Sequence, residues 1–496
     1  MKKTAINLIP DIVNPTPDYY CTWQTQLYAS CDGKPEGQRS IMGEKGMFSE
    51  EKPFGWAYFY PEARKDLFFV MDDSWDVAKG VKDRPLCGSL QLDKDKFPES
   101  TKNVSNQDAL KRLVDRVKAL GWKGLGGWVC AQEAVTAPDK DDPKYRITRL
   151  KEADFADFAY WKVDWGEKAR NAEYRREMTR LARQYAPNLI IEHAMLPELI
   201  PYSDVYRTYD VPAVMSIPMT MEKLKNFGNA PKTENGFMGL INCEDEVYIA
   251  AAAGYAMGVM RHPYAGAFIN GKPDISFPAV HRNLKTKITE VTRAVRWHRI
   301  APAFGAYGEK FLVDTNELTD FWTLQNRDEE FEAWWYEENY FKQFIKENTV
   351  TKSAPARISR GCPLPEIIPD SEGNTPYAVA AKNPNGAFSI ATLGRTLNRK
   401  YYIPLCEIAV DAENAEFIGV FGEYKSLTIK TKKQITQVLM QDLADDTAID
   451  ITDSVTFSKN CLIIPGALIS EIGTKNQPEW DTSEPGVIIY LQRAEF

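Results

Sequence analysis

From about residue 18 to 302, short apolar runs alternate with stretches whose apolar residues recur at helical spacing. Leu110, Leu113, Val114, Val117 and Leu120 form one such stripe after Ser105, and Gly121 marks its stop. Leu125–Val129 then reads as a strand. Tyr174, Met178, Leu181, Ala182 and Tyr185 form a second stripe, which Pro187 closes before the strand Leu189–Glu192. Val205–Thr208 reads as a further strand. The alanine-rich run 247–258 predicts a helix, and Val280, Leu284, Ile288, Val291 and Val295 predict a long one. Strands alternating with helices imply a parallel sheet, and this many units in succession predict a closed (β/α)8 TIM barrel.

The pattern changes after about residue 303. Ala387–Leu393, Lys400–Val410, Ala415–Phe421, Ser426–Thr431, Ser454–Pro465 and Gly486–Gln492 are β-rich and separated by polar turns. Only the acidic, aromatic stretch Asp328–Asn348 is ambiguous. The expected organisation is therefore an N-terminal extension (1–17), a catalytic barrel (18–302) and a C-terminal antiparallel β-sandwich domain (303–496).

Composition narrows the partners. A net charge of −8 argues against a nucleic-acid backbone or an anionic membrane surface. No apolar run is long enough to span a bilayer. Eight cysteines without a CxxC pair read as reduced thiols in a chain of 496 residues. The first residues lack an apolar segment of signal-peptide length, so cytoplasm is the expectation, with an exported form allowed if a leader was removed earlier. Twelve Trp, 23 Tyr and 23 Phe suit sugar stacking as well as ordinary cores. A homo-oligomer is allowed.

The chemistry concentrates at strand ends, where barrel enzymes place reactive groups. In Tyr160-Trp161-Lys162-Val163-Asp164-Trp165-Gly166, Lys162 and Asp164 are two apart and share a face. A cation beside Asp164 would keep it ionised. Asp72-Asp73-Ser74-Trp75 follows Leu67–Met71; tandem carboxylates there could hold sugar hydroxyls or cap a helix. Trp128 closes its strand, and Arg207-Thr208-Tyr209-Asp210 ends another. A glycosidase needs one ionised and one protonated carboxyl, and Asp164 and Asp210 fit those roles. Asp210 paired with Arg207 would instead be a surface aspartate of lowered pKa.

In order along the chain these residues resemble clan D of the glycoside hydrolases, families 27 and 36, the α-galactosidases and their relatives. Tyr20-Cys21-Thr22-Trp23-Gln24-Thr25 resembles the family's first strand, which carries a Trp into the sugar pocket. Asp72-Asp73-Ser74-Trp75 resembles its Asp-Asp-x-Trp. Phe97-Pro98, a helix and Leu125–Val129 resemble its Phe-Pro, helix and Gly-Leu-x-x-Gly-x-Trp run. Lys162-Val163-Asp164 resembles the Lys-x-Asp of the nucleophile, and Arg207-Thr208-Tyr209-Asp210 the Arg-Thr-x-x-Asp of the acid/base. The last spacing is one residue shorter than in family 27. Family 36 carries a Ser-Asp in this region, which makes Asp204 the rival acid/base. The resemblance implies a retaining exo-α-glycosidase acting on a terminal glycoside of an oligosaccharide, foremost an α-galactoside. It needs no cofactor and no metal. Catalytic Asp164 and Asp210 would be served by Trp23, Asp72, Asp73, Trp75, Trp128, Lys162, Glu192, His193 and Arg207 as substrate-binding residues. An N-acetylgalactosaminide or a β-L-arabinopyranoside is the alternative substrate.

Other classes have less support. A carbohydrate-binding barrel without turnover and a hydrolase or lyase with a divalent ion at Asp72 and Asp73 are the competing readings. The four histidines (193, 262, 281 and 298) show no HxH or HExxH spacing. Cys130 has no neighbouring histidine to activate it. Glu244 and Asp245 precede the alanine-rich run and are expected to serve its helix N-terminus. No glycine-rich phosphate loop occurs.

Overall fold

The computed structural model describes residues 2–23, 25–26, 39–50, 55–77, 87–135, 137, 139–209, 215–227, 236–260, 268–269, 272–273, 287–305, 310–323, 345–346, 349–398, 400–432, 434–458 and 460–493. Eight parallel strands close a barrel: β1 (Tyr19–Cys21), β2 (Phe68–Met71), β3 (Gly124–Val129), β4 (Tyr160–Val163), β5 (Ile190–His193), β6 (Val205–Arg207), β7 (Leu240–Glu244) and β8 (Ala256–Val259). The helices that cover it are α1 (Asn106–Ala119), α2 (Tyr145–Ala156), α3 (Ala172–Tyr185), α4 (Ser216–Phe227), α5 (Val247–Ala253) and α6 (Ile288–Trp297).

Local sequence explains the element ends. The Ser105 hydroxyl accepts the Asp108 amide and starts α1, whose Leu110, Leu113, Val114 and Val117 are buried. Asn171 caps α3 in the same way through the Tyr174 amide. The run 247–258 is not one helix. Gly254 adopts φ +66°, ends α5 at Ala253, and frees the residues that follow to form β8. An added Cβ at Gly254 would meet the Phe304 ring at 2.2 Å, so the turn excludes larger residues. Of the long helix expected over 280–295, residues 280–286 lie outside the described residues, and the remainder forms α6.

The C-terminal part is a sandwich. A nine-stranded sheet and a five-stranded sheet enclose Ile390, Val420, Met440, Ile489, Ile408, Leu427, Ile429 and Ile464. Antiparallel ladders predominate, although Phe388–Leu393 pairs in parallel with Phe417–Phe421 and Glu407–Asp411 with Ser426–Lys430. Neighbouring residues on the large sheet point the other way. Val379, Ala391, Phe421 and Ile488 join the barrel core against α5 and α6, so one sheet serves two cores through its period of two.

Lys400–Val410 is not a single strand: Pro404 separates Lys400–Tyr402 from Glu407–Asp411, and the two belong to different sheets. A short helix, Gly466–Gly473, interrupts the β pattern and buries Leu468, Ile469 and Ile472. Of Asp328–Asn348, only Ile345–Lys346 falls among the described residues, as a short strand. The Lys2–Lys3 strand pairs with Ile449–Asp450, and Leu8 donates its amide to Gln441 (2.7 Å), which ties the first residues to the C-terminal sheet.

Candidate active site

Alternation along the barrel strands selects the inward side chains. Tyr19 and Cys21, Val70 and Asp72, Gly126 and Trp128, Tyr160, Lys162 and Asp164, Ile190 and Glu192, Val205 and Arg207, and Asn242 and Glu244 share this phase. The lower layer is apolar, with Tyr19, Phe68, Val70, Tyr160, Val205 and Leu240 in one cluster. Toward the C-terminal ends the lining becomes charged. The register sets Trp128 beside Lys162 and Lys162 beside Glu192.

Two cations organise the carboxylates. Lys162 Nζ lies 2.7 Å from Asp72 Oδ2, which also accepts the Cys21 thiol at 2.9 Å. Burial disfavours the ammonium, but Asp72 outweighs that and holds Lys162 above its ordinary range. Arg207 faces three carboxylates. Nη1 donates to Glu244 Oε1 at 3.1 Å. Nη2 is 2.8 Å from Asp164 Oδ1 and Nε is 3.1 Å from Glu192 Oε1. These last two contacts are ion pairs off the hydrogen-bond axis, since neither nitrogen makes a hydrogen bond among the described residues. The guanidinium also stacks over the Tyr209 ring at 4.8 Å.

Asp164 occupies the open end of this network. It is 8% exposed, against 0% for Glu192 and Glu244, which makes it the carboxylate of the Arg207 trio that a ligand can reach. Oδ2 accepts the Trp128 indole N–H at 3.0 Å, while Oδ1 has no hydrogen bond among the described residues. Burial raises its pKa, but Arg207, then Lys162 and the Trp128 bond, bring it below the ordinary aspartate range. The expected cation beside Asp164 is therefore chiefly Arg207. Lys162 acts from further off because its own ion pair is with Asp72. Arg175 of α3 fixes the strand end by donating to the Asp164 carbonyl at 2.5 Å and the Val163 carbonyl at 3.2 Å.

Several expected contacts are corrected. His193 alternates outward from β5, fully buried, with Nε2 2.7 Å from Thr179 Oγ1 and Nδ1 3.4 Å from Arg175 Nη1. It is a core histidine against α3, and burial lowers its pKa. Trp75 is likewise outside the barrel wall. Its indole donates to the Trp128 carbonyl at 2.8 Å and packs on Gly127, where an added Cβ would come 3.0 Å from Nε1. Asp204 precedes β6 at the opposite end of the strand from Arg207, and binds Arg183 and the Ile191 amide, so it is no rival acid/base. Glu192 is sealed beneath Arg207, where the Tyr160 hydroxyl donates to it at 2.6 Å and the Tyr19 hydroxyl at 3.4 Å. Burial raises it to about 7 against the pull of Arg207. Glu244 enters the barrel instead of serving α5.

Asp73 pairs with Arg39 at 2.8 Å and accepts the Ser74 hydroxyl. Trp23 joins the interior apolar cluster, largely buried. Trp165, half-buried, packs on Trp128 with centroids 5.0 Å apart and lies under Arg39 at 5.6 Å, forming an aromatic wall next to Asp164. Asp210, His262 and His281 lie outside the described residues. Among the described residues no three His, Cys, Asp or Glu side chains converge as a metal site requires, no helix is long and apolar enough to cross a membrane, and all seven cysteines are free thiols.

Neither a protein-family model nor a curated protein matches the chain. Solved structures do. α-Galactosidase I from Mortierella vinacea is 13% identical over 70% of this chain and 95% of its own, with a TM-score of 0.34. A family 27 β-L-arabinopyranosidase from Geobacillus stearothermophilus is 9% identical over 97% and 98%, with a TM-score of 0.41. An α-amylase from Geobacillus thermoleovorans is 8% identical over 98% and 100%, with a TM-score of 0.42. At such identities and scores these likenesses assign no activity to this chain.

Proposed function

We propose that this protein is a retaining glycoside hydrolase that removes a terminal sugar by double displacement, with Asp164 as nucleophile. The observation that carries the reading is the state of Asp164. It is the reachable carboxylate of a buried charge network, kept ionised by Arg207, with one oxygen steadied by Trp128 and the other without a hydrogen bond among the described residues. That is what attack on an anomeric carbon needs. As the Asp164–carbon bond forms, the glycosidic C–O bond breaks and the leaving oxygen takes a proton from the acid. Water then attacks the anomeric carbon from the face the leaving group vacated, gives its proton to the conjugate base of that acid, and the Asp164–carbon bond breaks.

The acid/base role goes to Asp210 through the resemblance of Arg207-Thr208-Tyr209-Asp210. The strand turns here: Tyr209 adopts φ +60° directly before it. Asp72 and Lys162 supply hydrogen-bonding groups at the floor, and the Trp165–Trp128 pair supplies an apolar wall for a sugar face. An α-galactoside is the first substrate to try, on the strength of the motif order.

The test is turnover of a panel of p-nitrophenyl glycosides by wild type and Asp164→Ala, with azide added to the variant. A substrate cleaved by wild type, lost in the variant and partly restored as the glycosyl azide of inverted configuration identifies both nucleophile and sugar. Silence across the panel with sugar binding retained in calorimetry would replace this reading with a binding protein.

A further inference from the structure

Glu192 has no place in the mechanism above, yet it is fully buried in the middle of the barrel and touches the same cation as Asp164. The groups facing it are Tyr19 from β1, Tyr160 and Lys162 from β4, Arg207 from β6 and Glu244 from β7, with Asp164 across the guanidinium. Among the described residues two hydroxyls bind the carboxyl, and a single positive group lies within ion-pairing distance. Among the described residues Arg207 in turn makes one aligned hydrogen bond, to Glu244, and offers Nε and Nη2 to Glu192 and Asp164 as unaligned ion pairs. Nothing in that geometry commits the guanidinium to either acid, so the two divide its field.

We propose that Glu192 is a positioning residue that competes with Asp164 for Arg207, so that ionisation of Glu192 loosens the hold on Asp164 and makes it the better nucleophile. The inference rests on the glycosidase reading only for its kinetic consequence; the competition itself is a property of the buried trio. A carboxylate released from a counter-charge is more basic, and nucleophilicity follows basicity. Burial places the titration of Glu192 at about 7, inside the working range of most enzymes. Glu244 keeps Nη1 occupied and so confines the exchange to the other two acids.

The competition is tested first without turnover, by following Tm against pH in wild type, Glu192→Gln and Asp164→Asn. Relative to Glu192→Gln, wild type should lose stability as pH rises from about 4.5 to 7, because the folded state then holds a proton on Glu192 that the unfolded chain has released. Glu192→Gln should lack that part of the fall. In Asp164→Asn the fall should end roughly one pH unit lower, because Glu192 then has Arg207 to itself. An Asp164→Asn profile that ends where the wild-type profile ends would overturn the competition.

The kinetic arm uses the 2,4-dinitrophenyl glycoside of whichever sugar the panel identifies, a leaving group that needs no acid. Wild-type kcat/KM should rise about threefold to tenfold through pH 7. Glu192→Gln should give a flat profile whatever its level, and Glu192→Asp should restore a rise. A rise of wild-type size and position in Glu192→Gln would overturn the proposal. Silence on every glycoside, together with the shifted stability profile in Asp164→Asn, would leave the competition standing and remove the glycosidase reading instead.

Discussion

The inside of the barrel and the inside of the sandwich solve opposite problems with the same strand geometry. Between the two C-terminal sheets the inward positions are aliphatic: Ile390, Val420, Ile429, Ile464 and Ile489 are fully buried with no charge among them. The upper barrel uses the same alternation to bury Asp72, Lys162, Glu192, Arg207 and Glu244, all 3% exposed or less. Such an interior is expensive, because each charge gives up its hydration and recovers it only through partners of good geometry. A core needed only for stability would look like the sandwich. The difference is what makes the barrel's C-terminal end the candidate site.

Removing the reacting group should have the largest effect. Asp164→Ala is expected to lower turnover by on the order of a thousandfold or more, with an unchanged far-UV spectrum. Retained turnover would sever the charged interior from catalysis. Next, Arg207→Met leaves Asp164, Glu192 and Glu244 without their shared cation and should destabilise the fold by about 3–5 kcal/mol, read in denaturant unfolding. A neutral effect would mean the three acids are satisfied by other groups. On the other side of the comparison, Ile390→Ala opens a cavity between the sheets and should cost about 2–5 kcal/mol while kcat/KM stays at its wild-type value.

The pH dependence sharpens the contrast. Glu192 ionises at about 7 in the folded protein against an ordinary value of 4.5. Its folded pKa is raised, so its contribution to stability is fully present below about pH 4.5, falls as pH rises through that window, and is gone above 7. The full fall amounts to about 3 kcal/mol. Asp76, raised to about 6 by burial, adds to the same trend. Glu192→Gln should remove the Glu192 part and keep the Asp76 part, as measured by unfolding at stepped pH. The smallest effect belongs to Trp75→Phe. It leaves the Trp128 carbonyl without its indole donor, costs about 1–3 kcal/mol, and should not change KM. A raised KM would return Trp75 to the pocket.

Much of this was legible in the chain. Short apolar runs give β2 to β6, and the 3.6 period gives α1 and α3, because the buried faces of these elements must be apolar. Motif order located Asp164, Lys162, Asp72, Trp128 and Arg207 at strand ends. Glu244 was missed, although its phase with Leu240 and Asn242 was the available signal; the alanine-rich run beside it suggested a helix cap. β8 was hidden in the same run, since Ala256–Val259 shows no alternation when both of its faces are buried.

The sequence by itself determined which residues could alternate inward, and hence that charge would collect at the C-terminal ends of parallel strands. Only the tertiary structure decided which charges meet. Lys162 stands two residues from Asp164 yet pairs with Asp72, 90 positions away in sequence, while Arg207, arriving from β6, takes Asp164, Glu192 and Glu244. His193 follows Glu192 directly and points the other way, into α3. The reason is physical. Alternation fixes the side of a strand a residue occupies, but ion pairs are chosen across the barrel by register, side-chain length and burial, and those exist only once the sheet has closed.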